Sequence, residues 1–320
     1  MSVLIPSGVN NAEFSIPEDF LREEERCGYL VTEKMKKVWA VEMEMLHELE
    51  RVCEKYGLTY FADSGTLLGA IRHKGYIPWD DDIDIVMLRD DYDKLLEVGP
   101  EEFKAPLFFQ SAYTDNHYVR GVSRIRNSQT TAIGKKDIGR SFNRGIFIDI
   151  FPVDRIPDNL FVRKMWIRRI KFIRQLLRNW AYDEGKKGNA FEKTYRAVLR
   201  GLVSAIGYKN VYRHFQNVCA KYRNKDTKKV TYVGYSLGKA KHIWERSDFN
   251  GVKKVPFEFT EINIPVGYDE RLKVEYGDYM TPVKASTAHG ELILEPEIPY
   301  TEYVKTHDPE EELRKIGAIK

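Results

Sequence analysis

The chain has 320 residues, 42% of them hydrophobic and 31% charged, with a formal net charge of +3. That is enough apolar material for a sizeable core, and a charge too evenly balanced to point to any class of partner. No run of about 18 apolar residues is present, so a membrane-spanning helix is excluded.

The opening MSVLIPSGVNNAEFS lacks a basic leader and the apolar length of a signal peptide. Cys27, Cys53 and Cys219 are far apart in no metal-type spacing, which fits a reducing compartment. A cytoplasmic location is expected.

Residues 1–30, with Pro6, Gly8, Asn10, Asn11 and Pro17, read as an extended arm. From about Thr32 to Tyr56, Met35, Val38, Leu46, Leu49 and Cys53 recur at helical spacing, and Gly57 stands as the stop. TYFAD (59–63) is a short strand, and SGTLLGAIRHKG (64–75) a turn into a short helix ending near Gly75. After Pro78 the period becomes two: Asp80, Asp82 and Asp84 alternate with Asp81, Ile83 and Ile85 as far as Met87. A helix is expected around Asp90–Val98, and strands at RGVSRIR (120–126) and GIFIDIF (145–151). Residues 158–224 are basic and helical, punctuated by Gly185, Gly188 and Gly207. Strand and turn signals return near Thr231 and run through 255–272. The expected organisation is a mixed α/β core at 31–155 and 230–290, a helical insertion at 156–229 and a charged tail at 291–320.

The chemistry is concentrated in DDDIDIV (80–86). On a strand, Asp82 and Asp84 share one face, which Asp80 would join if the strand begins that early, while Ile83, Ile85 and Met87 bury the other. Neighbouring carboxylates on a half-buried strand repel each other, and a bound cation relieves that. Mg²⁺ suits all-oxygen ligation, with Mn²⁺ as the alternative. Taken alone, the cluster is read equally well as a solvated acidic edge. A calcium loop is excluded, because the sixth position is Ile85 rather than Gly and the twelfth is Asp91 rather than Glu.

Ser64-Gly65-Thr66 opens a helix just after a strand, about sixteen residues before the acid pair. Small residues there let backbone N–H groups approach an anion, although a plain helix cap has the same composition. Turn and acids together describe a nucleotidyltransferase-type pocket, the turn holding phosphates and the acids a metal. Asp149, in the apolar strand GIFIDIF, is the candidate third carboxylate, since an acid there needs a partner. Its plainer role is a strand-end cap before Pro152, and Asp154 is the reserve.

Residues 61–86, FADSGTLLGAIRHKGYIPWDDDIDIV, resemble the opening signature of the LicD family of phosphorylcholine transferases, which is related to fukutin-type proteins. RIRNSQTT (124–131), GIFIDIFPVD (145–154) and YGDYMTP (276–282) followed by His289 resemble its later segments. Phe259 stands where family members often carry Gly. The resemblance implies a polymerase-β-like core and the transfer of a phosphate-linked alcohol, classically phosphocholine from CDP-choline, onto a cell-surface glycan. It carries metal ligation to Asp82 and Asp84 and makes Asp149 the third acid, to which the general-base role is assigned. Transfer of phosphoribitol or phosphoglycerol, retention of the nucleotide on the acceptor, or a non-catalytic nucleotide-binding scaffold are the alternatives.

Arg72, His73 and Lys74 lie between the turn and the acids, and Arg124 and Arg126 share a strand face. At least one of them is expected on phosphate, though each taken singly reads as a surface cation. A choline cage would need aromatic faces. Tyr76, Trp79, Tyr113 and Tyr118 are near in sequence, but core packing explains them better.

Residues 160–180 hold seven Arg/Lys and no acid, with Phe161, Met165, Trp166, Ile170, Ile173 and Leu177 roughly on one face. Such a helix either lies on an anionic membrane or packs on the core with a solvated basic face. No nucleic-acid partner is expected, because no recognised module accompanies it.

Overall fold

The computed structural model describes residues 14–182, 189–239, 242–282 and 291–319. In chain order come the hairpin β1 (Glu24–Arg26) and β2 (Tyr29–Val31), α1 (Glu33–Tyr56), β3 (Phe61–Ala62), α2 (Ser64–Arg72), β4 (Ile83–Leu88) and α3 (Arg89–Glu102). Then follow β5 (Leu107–Gln110), β6 (Ser123–Asn127), β7 (Thr131–Gly134) and β8 (Ile146–Ile156). A helical layer comprises α4 (Leu160–Tyr182), α5 (Ala190–Ile206) and α6 (Tyr208–Cys219). The chain returns through β9 (Lys229–Thr231), α7 (Val233–Ser236), β10 (Trp244–Glu245), β11 (Val252–Phe257), β12 (Thr260–Pro265) and α8 (Tyr268–Tyr276). It ends in β13 (Leu292–Glu295), α9 (Tyr300–Thr306) and α10 (Pro309–Lys315).

The expected helix ends are set by side-chain and glycine chemistry. Thr32 caps α1 by accepting from Met35 N–H, and Gly57 closes it in the left-handed region. Within α1, Val38, Trp39, Met45, Leu46 and Leu49 are buried against the sheet.

β8 organises the main sheet. It runs parallel to β4, with Ile83 opposite Ile148 and Asp84 opposite Asp149. On its other edge the first half pairs antiparallel with β6, placing Arg124 opposite Asp149, and the second half with β9. Asp84, Asp149 and Arg124 therefore stand in one row across three strands, and in-register neighbours project to the same face.

Residues 291–319 are no simple tail: β13 pairs with β7, and Leu313 and Tyr303 bury against Ile133 and Ile293. The expected arm likewise contributes Phe20 and Leu21 to the core and forms the β1–β2 hairpin.

The helical layer has its own core, in which Trp166, Ile170, Ile173 and Leu177 of α4 meet Val211, Tyr212 and Phe215 of α6. Of the two arrangements open to α4, this apolar face takes the packed one and leaves most of the basic residues to solvent. α4 leaves Leu160, Phe161 and Met165 outside at its N-terminal end and Phe172 near its middle. No helix among the described residues is long and apolar enough to cross a membrane.

Candidate active site

The acidic segment is not strand throughout. β4 begins at Ile83, and Asp80 closes a turn by donating its N–H to the Ile77 carbonyl. Trp39 Nε1 holds the Asp80 carbonyl at 3.0 Å. In this turn the strict alternation expected of Asp80–Asp82 is lost. The ligand atoms of Asp80, Asp81 and Asp82 lie within 4.8 Å of one another, a spacing at which three carboxylates can share a cation. Asp81, which alternation assigns to the opposite face, thus joins the cluster.

Asp82 is buried and Asp84 half-buried. Burial first, then the charges of Asp81 and Asp149, raises the carboxyl of Asp82 well above its ordinary range. Burial, then Asp82, Asp149, Asp80 and Glu275, does the same to Asp84. Glu42 of α1 lies fully buried beneath them, pushed up by burial and by Asp82, and accepts from Tyr76 Oη at 2.9 Å. This accumulation of mutually repelling acids, with only oxygen donors, fits Mg²⁺ or Mn²⁺.

Asp149 receives two hydrogen bonds from Arg124, Nε to Oδ1 at 2.6 Å and Nη2 to Oδ2 at 2.9 Å. Burial alone would depress Arg124, but the Asp149 charge holds it firmly protonated. Its guanidinium lies 3.5 Å from the Phe147 ring centroid, which fixes its plane. Arg126 shares that face but is removed from phosphate duty. It is 0% exposed, donates to Gln110 Oε1 and the Gly145 carbonyl, and is pushed down to about 9 by burial and then Arg124. The reserve acid Asp154 is also elsewhere, in a fully buried bidentate pair with Arg89.

The Ser64-Gly65-Thr66 turn is fastened to the acids by its own chemistry. Thr66 Oγ1 accepts from the Asp84 N–H at 2.8 Å, and Asp63 N–H donates to the Asp84 carbonyl at 2.9 Å. A Cβ at Gly65 would meet Asp80 Oδ2 at 2.2 Å, so any larger residue there would push the Asp80 carboxylate away from the start of α2. Ser64 occupies the left-handed region (φ 48°), an unusual conformation for a residue with a side chain. Thr66 is buried and serves to hold β4, leaving Ser64 and Gly65 as the outer part of the turn.

Arg72 donates Nη1 to the Tyr279 carbonyl and Nε to His73 Nε2, each at 2.9 Å. Lys74 is exposed at a turn with φ 55°, and its carbonyl accepts from Glu258 N–H. His289 lies outside the described residues. Tyr76 stacks flat on Trp39 at 4.5 Å, Trp79 meets Tyr29 and Tyr113 meets Tyr212 edge-on, and Tyr118 is fully buried, so these four build no cage.

Sequence reasoning missed the residues that reach the acids from late in the chain. Glu275 and Tyr276 of α8 and Tyr235 of α7 stand close enough to feel the charge of Asp84. Arg271 of α8 pairs with Asp63, both buried, and tethers α8 to the start of α2. Nothing local in 268–276 marks it as a site wall. Only the tertiary pairing does.

A mixed α/β sheet with acids on two adjacent strands, fed by a small-residue turn into a helix, defines a nucleotidyltransferase-type protein. Residues 57–179 match the family model described as LicD/FKTN/FKRP, nucleotidyltransferase domain, in keeping with the signature at 61–86. The lipopolysaccharide cholinephosphotransferase LicD of Haemophilus influenzae is 29% identical over 246 residues, covering 74% of this chain and 88% of the relative. An uncharacterized protein of Rickettsia prowazekii is 30% identical over 118 residues, 37% of this chain and 41% of its own length. A cavity of about 250 Å³, lined by Leu88, Arg155, Arg223 and Arg246, lies beyond the C-terminal ends of β4 and β8 and includes none of the site acids.

Proposed function

We propose that this chain transfers a phospho-alcohol, phosphocholine in the first place, from a CDP-activated donor to a hydroxyl of a cell-surface glycan or glycolipid such as lipopolysaccharide or teichoic acid. The observation that carries the reading is the Asp84–Asp149–Arg124 row, with the Asp80–Asp82 cluster beside the start of α2. The Haemophilus relative, named as a lipopolysaccharide cholinephosphotransferase, supports the choice of phosphocholine.

Asp82 and Asp84, with Asp149 across the sheet, would hold Mg²⁺ or Mn²⁺. When bound, the ion supplies neutralising charge for the donor's pyrophosphate. The Ser64-Gly65 turn receives phosphate oxygens at the helix N-terminus. Arg124 keeps the Asp149 carboxylate in one orientation, from which it accepts a hydrogen bond from the incoming hydroxyl and takes its proton as the new P–O bond forms. CMP leaves with the electrons of the broken P–O bond. The work of the protein is positioning and charge compensation. It takes place at the cytoplasmic face of the membrane.

A panel of CDP-alcohols, each with Mg²⁺ and with EDTA, scored by CMP release and product mass, tests this. Metal-dependent CMP release with a phosphocholine, phosphoribitol or phosphoglycerol mass increment is expected. A nucleotide increment on the acceptor overturns it in favour of a nucleotidyltransferase, and no turnover with any donor favours a scaffold.

A further inference from the structure

α5 faces the wrong way for a helix packed on a core. Phe191, Tyr195, Val198, Leu202 and Ile206 advance by four, three, four and four residues, which confines them to about 80° of arc. All five are between 52% and 80% exposed, and Val203 is the one fully buried side chain of the helix. α4 adds exposed Leu160, Phe161, Met165 and Phe172 to the same layer.

The cations of this layer decide what covers the stripe. α4 to α6 carry seven, three and two Lys/Arg, with Glu192 their single acid. Lys164, Arg168, Arg169, Lys171, Lys193, Arg200, Lys209 and Arg213 are exposed. An apolar protein partner would match the stripe but not this charge. The surface of an anionic bilayer matches both, with acyl chains for the stripe and headgroups for the cations.

We infer that α5, seated by its Phe191–Ile206 stripe with the basic residues of α4 to α6 around it, is a peripheral docking surface for an anionic lipid leaflet. The inference rests on the proposed function only in supplying a reason, a lipid-borne acceptor. The docking layer is bolted to the site wall: Arg174 of α4 donates to the carbonyls of Gly234 and Tyr235 at 3.0 and 2.7 Å, and the Tyr235 ring meets that of Phe151, two residues along β8 from Asp149, edge-on at 5.0 Å. Seating α5 on the leaflet therefore holds the site at a fixed height above it.

The test is sedimentation of the full chain with vesicles of phosphatidylcholine alone, or of phosphatidylcholine with phosphatidylglycerol. Wild type should pellet with the anionic vesicles, weakly with neutral ones, and less as salt rises. The double variant Phe191→Glu/Leu202→Glu should lose at least about tenfold in vesicle affinity while keeping its circular dichroism and melting temperature. Lys164→Glu/Arg168→Glu should abolish the preference for anionic lipid. Asp82→Ala should bind vesicles like wild type, which separates failure of docking from failure of the catalytic reading. Unchanged pelleting of the stripe variant overturns the inference. So does a wild-type dimer in light scattering that the stripe variant converts to monomer without any lipid binding, since that assigns the face to a second copy of the chain.

Discussion

Across β4, β8 and β6 charged side chains are buried where apolar ones are the rule, and on α5 apolar side chains are exposed where charge is the rule. Both regions carry an unpaid desolvation cost, but of opposite sign. Burial and the charges of neighbouring carboxylates both act against the ionised forms of Asp82 and Asp84. Phe191 and Leu202 keep contact with water that packing would remove. On the proposed readings, a cation completes the sheet site and a lipid surface completes the helix. Each departs from the local rule where a partner is meant to arrive.

The largest effect that sharpens this contrast is catalytic. Asp82→Ala should lower CMP release by at least about 10³-fold while the fold persists, because it removes a carboxylate whose burial is already unfavourable. Turnover within a few fold of wild type would remove Asp82 from the chemistry. By contrast, Arg89→Ala strikes a buried charge that is satisfied. It strands Asp154 in the interior and should cost about 3–5 kcal/mol in urea unfolding. A loss under 1 kcal/mol would mean water reaches that pair.

A third experiment addresses the acids as a group. Their raised carboxyls mean that, above the ordinary value of 3.8, the native state holds more protons than the unfolded chain. Stability without metal should therefore be greatest near the ordinary carboxylate range and fall as pH rises through the raised values. Asp82→Asn should flatten that fall relative to wild type. Mg²⁺ at about 100 times its dissociation constant should restore about 2.7 kcal/mol at the high-pH end. A wild-type curve parallel to that of Asp82→Asn, with and without Mg²⁺, would show that the acids do not repel one another in solution.

Much of the site was legible because it is local. Ser64-Gly65-Thr66 and Asp80–Asp84 lie within one strand–helix–turn–strand unit, and period-two spacing placed Ile83, Ile85 and Met87 inward as observed. The turn closed by Asp80 was hidden, since three consecutive acids fit an alternating pattern on either side of a strand start. Arg124 and Arg126 look equivalent in sequence. What separates them is β8: one faces Asp149 and the other Phe147. The walls at 232–276 depend on long-range pairing, to which periodicity is blind. For the helical layer, α4 was correctly seen as basic and amphipathic, but the pattern does not tell which amphipathic helix takes the core. α4 and α6 bury their apolar faces on each other and the sheet, and α5 is left outermost.

The smallest predicted effect is also the most direct comparison within that layer. Val198 and Val203 stand five residues apart on one helix, 57% and 2% exposed. Truncating Val203 to Ala removes buried methyl groups and should cost about 1–2 kcal/mol. The same change at Val198 alters almost no burial, improves helix propensity, and should move stability by no more than about 0.5 kcal/mol. Added anionic vesicles should change the ranking of the two variants in one assay only. Val203→Ala binds lipid like wild type, whereas Val198→Ala binds more weakly because its lost methyls would have met acyl chains. Equal destabilisation in lipid-free buffer would mean that Val198 is covered by protein in solution, and the contrast between a sheet awaiting a cation and a helix awaiting a leaflet would lose its second half.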